Sequence, residues 1–308
     1  MTSSDGAPLQ FTAAPIPIEQ ILWIVPLGAL EIPGHIAPSD HVYFYFADPD
    51  HCPCNLENHP VSAMSDGQVL RGDRSADGSL TIRATSKIDY YYGHIRVRAD
   101  LPDGARVRAG EQIGVSSGIG YGVDVGVINS DVNQGFLRPS RYAPETNNCD
   151  QPLHFFTQPL RDQLTALVKR EGPDKDGRIN FDRAGTVAGN WFLEGLPADR
   201  ESSSGPGAWP KMLTFVYDNF KPTEVRVVIG GTIDVAGIYT IPATDPLPEN
   251  ITQANGATIL HLLGFGPRLF DSRRLLVQLL NASTLRVEKF AVGTGDLIFD
   301  AGAQTYVR

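Results

Sequence analysis

The sequence predicts an all-β protein in two parts joined by one helix, and three observations predict it. Runs rich in Val, Ile, Tyr and Phe recur along both halves, broken by Gly, Pro, Asp and Asn. A single window, Thr157 to Arg170, shifts to helical spacing. A polar stretch full of helix and strand breakers, Glu171-Gly172-Pro173-Asp174-Lys175-Asp176-Gly177, then separates the two halves.

Residues 1–14 read as a flexible tail, and residues 15–171 as the first domain. From Ile16 to about Val127 no long amphipathic helix occurs. Runs such as His41 to Phe46, Ser79 to Ala84 and Gly93 to Arg98 alternate apolar and polar residues, the mark of half-buried strands. In the helical window Leu160, Leu164, Leu167 and Val168 share one face, with Thr157 as N-cap and Lys169 and Arg170 in the last turn. Strands resume in residues 178–308: Thr186 to Leu193, Met212 to Tyr217, Glu224 to Ile229, Ala257 to Leu263, Leu275 to Leu280 and Leu285 to Phe290. The last two flank Asn281-Ala282-Ser283-Thr284, a hairpin turn. Such spacing predicts a sandwich or barrel of roughly 8 strands.

A chain of 308 residues has room for two cores, since single cores stop growing near ~250 residues. With 42% hydrophobic and 20% charged residues, the composition is that of a globular protein. The net charge of -9, with basic residues scattered, leaves no patch for nucleic-acid phosphates, so no nucleic-acid partner is expected. The longest apolar run, Ile21 to Leu27, is too short for a membrane span and contains Pro26; Glu19 stands before it where a signal peptide has basic residues.

Three cysteines allow one bridge, from Cys149 to the Cys52-Pro53-Cys54 segment in an oxidising compartment, or three separate thiols. His51, Cys52, Cys54 and His59 have soft-ligand chemistry at a spacing that matches no common zinc pattern.

Among candidate site residues, Asp124 stands out. A carboxylate between Val123 and Val125 must face water, a cation or several donors. His35 and Asp40 read equally as turn residues, and His154 as packing against the helix start. Tyr90-Tyr91-Tyr92 and Asn190-Trp191-Phe192 suit either a core or a groove for glycan or peptide. Ser116-Ser117-Gly118-Ile119-Gly120 lacks the Lys and helix of a phosphate loop, and no Gly-x-Ser-x-Gly elbow occurs for a serine triad.

Taken in order, Gly34-His35-Ile36-Ala37-Pro38-Ser39-Asp40-His41, Pro60 to Val69, Tyr92-Gly93-His94-Ile95, Val107 to Gly114 and Gly122 to Val127 resemble the lysostaphin-type zinc endopeptidases, over residues from about 30 to 130. The resemblance implies a duplicated-hybrid-motif β domain with zinc as cofactor. It places His35 on the family's first metal ligand, Asp40 on the second with one extra residue between them, or His41 in its stead, and Asp124 on the third. His94 matches an active-site histidine, while Gly122 stands where the family carries another. The implied function is zinc-dependent hydrolysis of a peptide or peptidoglycan cross-link, in an extracellular or periplasmic setting. The altered positions leave two alternatives: a homologue that binds a peptide, cell-wall glycopeptide or protein partner without cleavage, or a structural or assembly protein.

Overall fold

The computed structural model describes residues 8–46, 56–203, 205–264, 272–293 and 295–308. Cys52, Cys54 and His51 lie outside them, and with them one end of the bridge that the cysteine count allows and all of the soft-ligand cluster but His59. The chain is all-β, as its alternating runs imply, and forms two compact units. The first comprises the described residues up to Leu27, Asp40–Asn133 and Pro144–Gly177; the second comprises Gly28–Ser39, Gln134–Ala143 and Arg178–Arg308.

The first unit is built on a ten-stranded sheet. Its strands are β1 (Trp23–Val25), β2 (Val42–Tyr45), β3 (Glu57–Ser62), β4 (Gly67–Asp73), β5 (Gly78–Arg83), β6 (Ile88–Val97), β7 (Arg106–Val107), β8 (Gln112–Ser117), β9 (Gly122–Asn129) and β10 (Cys149–Asp150). The main path runs β1-β2-β9-β6-β5-β4-β7, with β10 beside β9, β8 beside β6 and β3 beside β8. Period-two patterning sorts the faces of β6. Tyr90 and Tyr92 are fully buried and donate their hydroxyls to the carbonyls of Ser65 and Ser62, so these two tyrosines are core. Tyr91 points to the opposite face, and that face carries the polar cluster described below.

Two short helices accompany the sheet, α1 (Pro144–Asn147) and α2 (Gln158–Ala166). Leu164 is the buried contact of α2. The helix stops short of the expected Arg170 because the chain is drawn out to pair with β1. Ile24 N–H donates to Leu167 O at 2.9 Å and Lys169 N–H to Ile24 O at 3.0 Å. Lys169 then lies over the Trp23 ring, 4.1 Å from its centre.

The second unit holds a closed barrel of eight strands: β11 (Gly189–Leu193), β12 (Met212–Tyr217), β13 (Val225–Ile229), β14 (Gly237–Thr240), β15 (Thr258–Gly264), β16 (Ser272–Asn281), β17 (Thr284–Phe290) and β18 (Gln304–Val307). Every neighbouring pair is antiparallel, and Phe192↔Val307 and Leu193↔Tyr306 close the ring. Closure satisfies the edges that an open sheet would leave unpaired. Inward side chains, among them Trp191, Leu213, Phe215, Val227, Leu260 and Tyr306, fill the interior. Outward residues Phe192, Met212 and Val228 form a second apolar cluster with Ile36, backed by Leu30, Ile32 and Ala37. A short helix, α3 (Arg200–Ser203), follows β11. No helix among the described residues is long and apolar enough to cross a membrane.

Candidate functional site

Register places the site. Asp124, on the central strand β9, lies opposite Tyr43 of β2 on one side and Gly93 of β6 on the other. Side chains directly across a ladder share a face, so Asp124 sits in a row with an aromatic ring on one flank and an open glycine on the other. His41 immediately precedes β2. Its Nε2 is 3.4 Å from Asp124 Oδ2, and its Nδ1 is 3.0 Å from Asp40 Oδ1.

His94 reaches the same oxygen from the other side. Its Nε2 is also 3.4 Å from Asp124 Oδ2. This depends on a local irregularity: the β5–β6 register shifts between Gly78↔Ile95 and Leu80↔Tyr92, and His94 takes φ 57°, a left-handed conformation uncommon outside glycine. At that point β6 changes partner from β9 to β8. The bulge turns the imidazole toward Asp124, and Asp77 holds it there, with Oδ1 3.0 Å from Nδ1. Ser117 Oγ in turn donates to Asp77 Oδ1 at 2.7 Å and accepts from Ile119 N–H.

The result is a chain of alternating carboxylates and imidazoles: Asp40, His41, Asp124, His94, Asp77. Each imidazole is backed on Nδ1 by one carboxylate and presents Nε2 to a shared third. Backing of this kind fixes ring orientation. Both oxygens of Asp40 are engaged, Oδ1 by His41 and by the Tyr91 hydroxyl at 3.1 Å, and Oδ2 by the Thr146 hydroxyl. The Cys149 thiol, buried, donates to the Asp40 carbonyl at 3.1 Å.

Burial and charge act against each other here. Burial favours the neutral form of Asp40, but the hydrogen bond and charge of His41, with the Thr146 and Tyr91 donors, outweigh it and bring its pKa down to about 2. Burial likewise opposes the charge on His41, and Asp124 and Asp40 overcome it, so the imidazole is more basic than usual. Asp124 goes the other way: burial raises its pKa, and the two histidines offset that only in part. His94 is 36% exposed against 12% for His41, so solvent meets the network from the His94 side.

Glycines and tyrosines shape the surrounding face. Tyr43 packs 4.8 Å from His41 and 5.8 Å from Tyr45, and Tyr45 lies 6.2 Å from Tyr121, a row of rings leading outward. At Gly122, a Cβ would meet Phe44 O at 2.3 Å and the Tyr45 ring at 2.7 Å. A histidine at that position has no room.

Of the residues expected from the sequence, the structure links Asp40 and Asp124 through His41 and sets His94 against Asp124. His35 belongs to the second unit, where its backbone pairs with Glu31. Asp77 and Ser117 were not legible as site residues. In Asp73-Arg74-Ser75-Ala76-Asp77-Gly78 the aspartate reads as an ordinary turn residue, and only the fold brings it to His94. Among the described residues, no group of three or more His, Cys, Asp or Glu is arranged to hold a metal ion.

No protein-family model matches the chain, and no curated protein does. Among solved structures, it is similar to a zinc-containing peptidase from Vibrio cholerae at 18% identity, over 40% of this chain and 37% of that one, with a TM-score of 0.29. It is similar to the catalytic domain of the antimicrobial peptidase lysostaphin from Staphylococcus simulans at 17% identity, over 42% of this chain and 87% of that one, with a TM-score of 0.31. The SpoIIQ–SpoIIIAH pore-forming complex matches at 13% identity, over 48% of this chain and 92% of that one, with a TM-score of 0.32. The chain thus spans little more than a third of the Vibrio cholerae peptidase, and likenesses at these TM-scores carry no inference about activity.

Proposed function

We propose that this chain is a lysostaphin-type homologue whose polar cluster around Asp124 binds a peptide or cell-wall glycopeptide without cleaving it. One observation carries this reading. A carboxylate of raised pKa stands between two oriented imidazoles at the inner end of a tyrosine row, and the Phe44 carbonyl with the Tyr45 ring occupies the space a second proton-handling histidine at Gly122 would need. Hydrolysis needs one group to take a proton from water and another to stabilise the developing negative charge. His94, steered by Asp77, is suited to the first role. The carboxylates around it oppose the second. The same groups suit recognition: Asp124 and Asp77 accept hydrogen bonds from ligand amide or ammonium groups, and the rings of Tyr43, Tyr45 and Tyr121 offer flat apolar contact.

One feature favours a second reading, zinc-assisted hydrolysis. Two imidazole nitrogens stand 3.4 Å from one carboxylate oxygen. That is long for a charge-assisted hydrogen bond, and close to the ligand–ligand spacing of about 3.4 Å implied by tetrahedral zinc with bonds of ~2.1 Å. As placed, these groups form no metal site, so that reading requires His41, His94 and Asp124 to draw in around the ion, which would supply Lewis acidity to a bound water or carbonyl. Asp40 and Asp77 would fix the two rings.

Titration of soluble peptidoglycan fragments into chain purified without chelator, with metal analysis of the same sample, separates the two. Saturable binding with no new product, weakened in Asp124→Asn, is the expected result. Turnover together with one zinc per chain, both lost in Asp124→Asn, would overturn the binding reading in favour of the second. No binding and no turnover would remove both.

A further inference from the structure

The mouth of the barrel carries a cavity of about 190 Å³, lined by Arg178, Phe181, Arg183, Phe215, Tyr217 and Glu249 among others. By volume it holds roughly six waters at ~30 Å³ each, the size of a small metabolite. Mouths of β-barrels are recurrent ligand sites. Phe215 and Tyr217 are successive inward residues of β12, and Glu249 comes from the 3-10 turn Pro248–Asn250.

Its ionisable lining groups are Arg178, Asp182, Arg183, Tyr217 and Glu249, and Asp182 already accepts the backbone N–H groups of Asn190 and Leu137. The Tyr217 hydroxyl donates to Glu249 Oε1 at 2.6 Å, which fixes the carboxylate. Burial and this neighbouring carboxylate push the Tyr217 pKa up to about 12, so it stays a donor. The second oxygen, Glu249 Oε2, is buried with no hydrogen-bond partner among the described residues. A buried carboxylate oxygen without a donor is costly, and an ammonium group supplies both donor and charge. Arg178, also in the lining, lies 4.9 Å from the centre of the Phe181 ring and spends Nε on the Asn180 carbonyl. Arg183 is exposed. Neither arginine is ion-paired with a carboxylate among the described residues, which leaves two guanidinium groups for an anion. Phe181, Phe215 and Pro248 supply apolar lining.

We propose that this cavity binds a small zwitterion, a free α-amino acid with a short apolar side chain, its ammonium on Glu249 and its carboxylate toward Arg178 and Arg183. The site lies wholly in the second unit, whereas Asp124 belongs to the first.

The test uses the full chain and calorimetric or NMR titration with L-alanine, ethylamine, propionate and dialanine. L-alanine is expected to bind saturably. Ethylamine and propionate, each carrying one of the two charges, should bind about tenfold more weakly or worse, and dialanine, whose charges lie farther apart, more weakly than alanine. Glu249→Gln and Arg183→Gln should each lower alanine affinity about tenfold, while Asp124→Asn leaves it unchanged. Absence of saturable alanine binding at millimolar concentration overturns the proposal. So does unchanged affinity in Arg183→Gln and in a folded Glu249→Gln. Dialanine binding tighter than alanine would reassign the site to a peptide terminus and overturn the free amino acid as ligand.

Discussion

Gly93 of β6 lies directly across from Asp124 of β9, and a Cβ at Gly93 would stand 3.1 Å from Asp124 Oδ2. The glycine is what leaves the carboxylate open to both imidazoles. Gly93→Ala should displace the carboxylate by a few tenths of an ångström and weaken peptidoglycan-fragment binding, at a cost in stability of about 1–3 kcal/mol. Urea denaturation and ligand titration of one preparation measure both. Wild-type affinity in the variant would mean that the position of this carboxylate does not matter to binding.

The pH dependence follows from the same cluster. Asp40, with its pKa lowered from 3.8 to about 2, contributes stability that is present above pH 3.8 and lost as pH falls toward 2. His41, raised from 6.5, contributes stability fully present below pH 6.5 and lost as pH rises through its higher folded value. Asp124, also raised, holds its proton more tightly when folded, so it too costs stability as pH climbs above 3.8. Thermal unfolding should therefore show greatest stability of the first unit in mildly acid solution, falling above pH 6.5. His41→Gln should flatten the upper limb; an unchanged slope would assign that limb to other groups.

His94 holds a left-handed backbone that β-branched residues strongly avoid. His94→Asn, a residue tolerant of that conformation, should be more stable than His94→Val by about 1–2 kcal/mol, with both losing ligand affinity. Equal melting temperatures would show that the bulge relaxes at no cost.

In the barrel, Arg226 is 1% exposed and pairs with Asp218 at 2.8 Å and Glu224 at 2.6 Å. Asp218 also accepts the backbone N–H groups of Phe220 and Lys221. Leaving a buried charge uncompensated is costlier than removing both partners. With Glu224 still paired to Arg226, Asp218→Ala should destabilise the second unit by about 1–3 kcal/mol, and Arg226→Met combined with Asp218→Asn by less. The reverse order in chemical denaturation would contradict this assignment.

Features encoded over a few neighbouring residues were legible in the sequence. The strands at Val42–Tyr45, Gly122–Asn129 and Thr284–Phe290 follow from alternation, and the turn at Ala282-Ser283 follows from its polar residues. The choice between sandwich and barrel was not legible, because it rests on Phe192 meeting Val307 across more than a hundred residues. The end of the helix was misread for a similar reason: Leu167 and Lys169 keep helical composition, and pairing with Ile24 overrides it. At the site, Asp124 announced itself by its apolar neighbours. Asp77 did not, since a turn aspartate looks the same whether or not a bulge later swings an imidazole onto it.

The segment Gly28–Ser39 has a practical consequence for anyone dissecting this molecule. Its Ile36, with Leu30, Ile32 and Ala37, covers the outward residues Phe192, Met212 and Val228. A gene fragment begun at Arg178 would retain all eight staves of the barrel yet strip this apolar jacket from its side, and the product should be sticky and prone to precipitate. Grafting 28–39 back as a tethered leader should restore solubility.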